Sequence, residues 1–203
     1  MRITKDPLVR KQEIAQTAMI IFEEKGIQKT SMSEIAKRAG VAKGLLYYYF
    51  TSKDALVAEV IDQFSKGVDE VIEGIMKNEN YSFYDKLSQI INFFFSTIVE
   101  RTALMSISTV NQGTFEFIRT RLSDVAIIHA KELVLSGKKE GIISIEYPEL
   151  VVKMLIKGIA DLYMDGETNP KVLTVLIEQA LGIPKGRIIL SLNLTLAEGY
   201  KLR

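Results

Sequence analysis

Two short helices forced to meet at a single glycine constrain this chain more than any other part of its 203 residues. Between Thr30 and Lys53 it reads TSMSEIAKRAGVAKGLLYYYFTSK. Met32, Ile35, Ala36 and Ala39 fall at i, i+3, i+4 and i+7, the buried stripe of a short helix. Ser31 and Glu34 stand three apart, as a capping box that opens such a helix requires. Gly40 supplies the positive φ that ends it and turns the chain sharply. A second helix opens near Ala42 or Lys43, with Leu46 and Phe50 four apart on its inner side. Lys43, Gly44, Leu45, Tyr47, Tyr48 and Tyr49 are left for an exposed face. The pattern is a helix-turn-helix, and such a face suits a DNA groove.

Charge is distributed to match. The whole chain carries a net charge of only +1. Up to Lys53, however, ten basic residues stand against five acidic ones, leaving 16 basic against 20 acidic for the remainder. A basic head on a slightly acidic body presents one end to phosphates. The absence of cysteine excludes disulfide and thiolate chemistry, and one histidine, His129, leaves little for a transition metal. No cofactor or metal is expected. The N-terminal residues are polar and lack the apolar core of a signal peptide. Apolar stretches fall short of the roughly 20 residues that span a bilayer, so the expectation is a cytoplasmic protein with no membrane partner.

Taken in order, the chain predicts an all-α fold. Asp6 and Pro7 suit the N-cap and N1 positions of a first helix whose stripe is Ile14, Ala18, Ile21 and Phe22 and which stops at Gly26. This helix and the short pair make a three-helix head. From Lys53 to about Lys77 a helical period with Ser52 as N-cap predicts a helix of about 25 residues, roughly 37 Å long. It joins the head, residues 1–53, to a helical-bundle body, residues 54–203. In the body, Phe83 to Arg101 is apolar nearly all round, and Ala103 to Gln112 reads as a short helix punctuated by Gly113. Phe115 to Ser136 carries a stripe of Ile118, Leu122, Val125, Ile128 or His129, and Leu133, and Gly137 to Ile143 reads as a turn. Helices opened by Pro148 and Pro170 run to Met164 and Leu181. Ile188, Leu190, Leu192, Leu194 and Leu196 then alternate with Ile189, Ser191, Asn193 and Thr195, which predicts an extended or strand-like arm.

The first sixty or so residues resemble the DNA-binding head of TetR-family (tetracycline-repressor-like) regulators. The pattern is matched at Ile14, Ala18, Phe22, Gly26, Thr30, Ser31, Ile35, Ala36, Ala39, Gly40, Val41, Lys43, Gly44, Leu46, Tyr47, Phe50, Ser52, Lys53 and Leu56. The body resembles the family only in its helical architecture. From the resemblance, the DNA-contacting residues are expected to be Thr30, Ser31, Lys43, Gly44, Leu45, Tyr47, Tyr48, Tyr49 and Lys53. Lys43 and Gly44 enter the groove, the tyrosines and Lys53 meet phosphates, and Leu45 departs from the small or polar residue usual at its position. Leu46 and Phe50 are core. Lys37 and Arg38 are read as solvated helix-face residues.

The resemblance also implies a body that senses a small molecule and a homodimer formed through the last two helices. Phe94, Met105, Phe115, His129, Met154 and Tyr163 are the candidate pocket residues, although aromatic and Met residues on a helical period are most often core. The implied function is a ligand-responsive repressor that binds a two-fold symmetric operator as a dimer and is released by its effector. A ligand-independent architectural DNA-binding protein of the same fold is the alternative. An enzyme is not expected: Asp161, Asp165 and Glu167 make only a weak acidic cluster, with no P-loop and no Ser/His/Asp set beside it.

Overall fold

The computed structural model of the protein describes residues 6–100 and 112–191, apart from the side chains at positions 98–100 and 115. Among the described residues there are eight α-helices and no strand. They are α1 (Pro7–Lys25), α2 (Met32–Arg38), α3 (Lys43–Tyr49), α4 (Lys53–Lys77), α5 (Phe83–Glu100), α6 (Gln112–Lys139), α7 (Pro148–Met164) and α8 (Pro170–Leu181). The described residues fall into two compact units, residues 6–64 with 112–118 and residues 65–100 with 119–191.

The first unit is built on α1. Asp6 caps it, its side chain accepting the Leu8 N–H at 2.7 Å, and Pro7 takes the position where a missing N–H costs nothing. Ile14, Ala15, Ala18, Ile21 and Phe22 are buried along one face. Ile35 from α2, Leu46 from α3, and Leu56, Val60 and Ile61 from α4 are buried in the same unit. Side chains also bridge the helices: Lys11 on α1 pairs with Glu59 on α4.

The second unit is built on α5, where Phe83, Leu87, Ile91 and Phe95, spaced by four, form one buried stripe. Leu133 and Val134 from α6, Val152 and Ile159 from α7, and Leu173 and Leu181 from α8 belong to the same core. The helix is more amphipathic than its sequence suggests, since Phe94 stays partly exposed. Its start is a capping box written with Asp: Ser82 Oγ accepts the Asp85 N–H at 3.2 Å, and the Asp85 carboxylate accepts the Ser82 N–H at 3.0 Å. Ser82 holds the Asp85 carboxyl below its ordinary value.

Two glycines do not act as the breakers they resemble in sequence. Helix α6 begins at Gln112 and takes Gly113 into its first turn; Ala103 to Asn111 lie outside the described residues. At the other end α6 passes through Gly137 and stops only before Gly141. There φ is +75°, with Ile142 N–H bonding Gly137 C=O at 2.8 Å and Gly141 N–H bonding Lys138 C=O at 3.2 Å. Gly137 is needed for space instead: a Cβ there would lie 2.6 Å from Phe83 Cε2 and 2.9 Å from Ile143 Cγ1.

Beyond α8, the described residues 184–191 form neither helix nor strand and turn at Lys185 and Gly186. Side chains stand in for a neighbouring strand. Ser88 Oγ accepts the Ile189 N–H at 3.0 Å, Asn92 donates to Ile189 C=O at 2.8 Å and accepts from Ser191 N–H at 3.0 Å, and Glu178 accepts from Ile188 N–H at 2.9 Å. Ile188 points into the core and Ile189 outward. Leu192, Leu194 and Leu196 lie outside the described residues.

Gly137→Ala should therefore destabilise the protein by about 1–3 kcal/mol, because backbone-borne volume enters a filled space. Gly74, inside α4 with nothing within 4 Å of an added Cβ, is the control. Gly74→Ala should stabilise by about 0.5–1 kcal/mol. Urea unfolding followed by circular dichroism measures both, with opposite shifts expected.

Candidate nucleic-acid interface

The turn between α2 and α3 is fixed by backbone bonding. Ser31 caps α2, its Oγ accepting the Glu34 N–H at 3.2 Å. At the far end Gly40 has φ +65°, Val41 N–H bonds Ala36 C=O at 3.0 Å, and Gly40 N–H bonds Lys37 C=O at 3.2 Å. This pair of bonds satisfies carbonyls that the helix end leaves open and aims the chain into α3. Ion pairs then tie α2 to α1. The Arg38 guanidinium bridges both oxygens of Glu24, one contact at 2.6 Å, and Lys25 pairs with Glu34. Arg38 is therefore engaged within the head and not merely solvated. Glu34 is held below its ordinary value by Lys25 first, with a smaller contribution from the Ser31 N–H, and Glu24 is held down by Arg38.

Helix α3 has seven residues, of which only Leu46 is buried, and Phe50 just beyond it is buried as well. The remaining side chains face outward. Lys43, Gly44, Leu45, Tyr47 and Tyr48 are exposed, Tyr48 to 77%, and Tyr49 is partly buried. The rings are arranged and not loose: Tyr48 and Tyr49 meet edge to face at 5.2 Å, and the Lys43 ammonium lies 5.9 Å from the Tyr47 ring centroid. Gly44 has no packing reason to be glycine, since an added Cβ would meet nothing within 4 Å. A glycine that weakens its own helix and leaves open space above it suits an outside surface that comes close to the backbone.

The flanking candidates are placed differently from one another. Ser31 is exposed. Thr30 is buried, and its hydroxyl donates to Gly26 C=O at 2.8 Å, so it closes the loop after α1. Lys53 opens α4 with its ammonium donating to Gln28 C=O at 3.2 Å, and partial burial lowers its pKa. Of the pocket candidates, Met105 and the Phe115 side chain lie outside the described residues. His129 is buried and bonded through Nε2 to Asp69 Oδ1 at 2.6 Å, Tyr163 is partly buried, Phe94 is partly exposed, and Met154 is 72% exposed. Asp161 of the acidic cluster pairs with Arg119 at 3.0 Å. Sequence reading missed the ion pairs of α1 with α2, whose partners are nine and fourteen residues apart and share no motif.

Residues 14–60 match the family model described as bacterial regulatory proteins of the tetR family. The head of the chain is a TetR-family domain. It is similar to the HTH-type transcriptional regulator YvdT of Bacillus subtilis (34% identity over 90 residues, 44% of this chain and 45% of YvdT). It is also similar to the HTH-type transcriptional repressor KstR2 of Mycolicibacterium smegmatis, at 27% identity over 162 residues and 76% of each chain. The chain thus spans less than half the length of YvdT and about three quarters of KstR2. Its fold is that of a crystal structure from Mesorhizobium loti assigned to the same family, with a TM-score of 0.66 and 21% identity over 88% of this chain and 96% of the other. That likeness shows the fold, the helical body included. Among the described residues no helix is long and apolar enough to cross a membrane.

The acidic partners set a pH dependence for this TetR-type head. Glu24, Glu34 and Glu59 all have folded-state pKa values below the ordinary 4.5. For Glu59, burial opposes the shift, and the bonds from Lys11 and Gln63 together outweigh it. Depressed carboxyl groups contribute stability that is fully present above 4.5 and lost as pH falls through the folded values. Thermal unfolding should show that loss on acidification, smaller in high salt because the pairs are exposed. A double variant, Glu24→Gln with Glu34→Gln, should flatten the acid limb.

Proposed function

We propose that the chain is a ligand-responsive transcriptional repressor that binds a two-fold symmetric DNA operator as a homodimer and leaves it when a small molecule occupies the body. The observation that carries this is the outward face of α3. Lys43, Leu45, Tyr47 and Tyr48 are exposed around an unneeded glycine on a helix whose own stability rests on one buried leucine. In this reading Lys43 and Gly44 approach base edges, Leu45 offers apolar contact to a thymine methyl, and Tyr47, Tyr48, Tyr49, Ser31 and Lys53 hold phosphates. Thr30, its hydroxyl bonded to Gly26 C=O, closes the loop that leads into Ser31. Residues 1–53 act as the DNA-binding domain and residues 54–203 as the ligand-binding and dimerisation domain.

Dimerisation is assigned to α7 and α8. Leu150, Met154 and Leu162 on α7 and Val172 and Leu176 on α8 are exposed apolar side chains spaced by multiples of four, a stripe that a second copy buries well. Met154 thus serves the dimer and not a pocket. Two heads in a dimer address successive major grooves, roughly 34–36 Å apart. Helix α4 runs through the division at residues 64 and 65, so a ligand that displaces it changes the separation of the heads. Only a ligand with different affinities for the two separations releases DNA. The protein acts in the cytoplasm, as a regulator and not an enzyme; the regulators it resembles support this.

Selection of genomic fragments with the purified protein supplies the operator, and binding assays on it test the assignment. Lys43→Ala should weaken binding by about tenfold or more and reduce the salt dependence by about one counterion. Tyr48→Phe should weaken it less. Gly44→Ala should weaken binding while raising the stability of the free protein, by up to about 1 kcal/mol. Unchanged affinity in all three, with folding intact, contradicts the proposal.

A further inference from the structure

Helix α6 buries a histidine where an isoleucine was at hand. Of the neighbours Ile128 and His129, the structure turns His129 inward and leaves Ile128 64% exposed. The imidazole is held by α4: its Nε2 lies 2.6 Å from Asp69 Oδ1, while Nδ1 is buried and finds no hydrogen-bond partner among the described residues. One turn before Asp69, on the same face of α4, Ser65 is also buried, and its Oγ likewise has no partner. Ser65 thus lies one turn from the carboxylate that holds His129, and each of the two residues carries a buried polar atom without a partner among the described residues, which is costly. Such atoms are kept where something else completes them.

Their chemistry specifies what that is. A carboxylate only accepts, so Asp69 places the ring proton on Nε2, and in the neutral ring Nδ1 then offers a lone pair. Ser65 can donate and accept. A hydroxyl meets both needs, donating to Nδ1 and accepting from Ser65 Oγ. A ligand carboxylate meets the wrong sign on both Nδ1 and Asp69, and an ether oxygen has no proton to give. We propose that Ser65 and His129, with Asp69 as the positioning residue for the ring, form a site for the hydroxyl group of an uncharged, largely apolar alcohol or phenol. This rests on the effector-responsive reading above and gives the effector a chemical class. Because two of the three residues belong to α4, occupancy acts directly on the helix proposed to carry the response.

His129 is the only histidine in the chain, so its ring nitrogens can be observed without assignment. Full-length protein labelled with 15N-histidine would be titrated with 2-naphthol, cyclohexanol and 1-octanol, and in parallel with their methyl ethers and with octanoate. The expected result is an unprotonated Nδ1 in the free protein whose resonance moves on saturation with at least one alcohol. The matching ether and octanoate should bind about tenfold more weakly or leave it unmoved. Ser65→Ala should weaken that alcohol by about tenfold while leaving the melting temperature of the free protein unchanged or raised, since it removes an unpaired hydroxyl. The proposal is overturned if Nδ1 carries the proton in the free protein or if no alcohol moves the ring signals. It is equally overturned if Ser65→Ala lowers the melting temperature and leaves alcohol binding intact, the behaviour of a hydroxyl that only holds water. Operator binding measured on the same samples separates the two readings. Alcohols that bind without releasing DNA would refute the effector role and keep the site, whereas release of DNA by a compound that leaves His129 unmoved would refute the site and keep the regulator.

Discussion

A helix of seven residues does not persist in water on its own, because nucleation costs more than two turns return. Helix α3 exists because Leu46 and Phe50 are drawn into the core of the head, a burial worth roughly 1.5–3 kcal/mol for each side chain. Everything else about the head follows from holding that anchor in place. Gly40 sets the angle at which α3 arrives, Ser31 and the Glu34–Lys25 pair fix the start of α2, and the Arg38–Glu24 pair locks α2 onto α1. With so few residues committed inward, α3 has nearly its whole circumference available for another surface.

This division of labour explains residues that are poor choices for stability. Gly44 lowers helix propensity and fills no tight space, and Tyr48 leaves a large ring in solvent. The same tension recurs in the second unit, where His129 takes an inward position and Ile128 an outward one. In both places the local rule of apolar inside and good helix formers in helices is broken, and in both the role proposed above supplies a reason.

Much of the head was legible because its determinants are local. The stripes Ile14, Ala18, Ile21, Phe22 and Met32, Ile35, Ala36, the cap at Asp6–Pro7, the turn at Gly40 and the extent of α4 each depend on residues within a turn or two of one another. Features set by distant packing were not legible. Gly137 looks like a breaker until Phe83, more than fifty residues earlier in the chain, is seen to occupy the space where its Cβ would be. The tail's alternation announced an extended chain, but nothing in the sequence says that Asn92 and Ser88, about a hundred residues away, replace a neighbouring strand. Thr30 looked like a phosphate anchor beside Ser31, yet its hydroxyl is spent on Gly26, a loop closure that periodicity does not report. The choice between Ile128 and His129 was open for the same reason, since adjacent residues on a helical stripe differ only in what lies opposite.

The central claim is that the outward face of α3 is the surface that meets DNA. Hydrogen exchange followed by mass spectrometry, on the free protein and on its complex with selected operator DNA, examines that face directly without changing a residue. Protection on complex formation should be largest in peptides covering Lys43–Tyr49 and the start of α2. Protection confined to the second unit, with α3 exchanging as fast in the complex as in the free protein, would contradict the account.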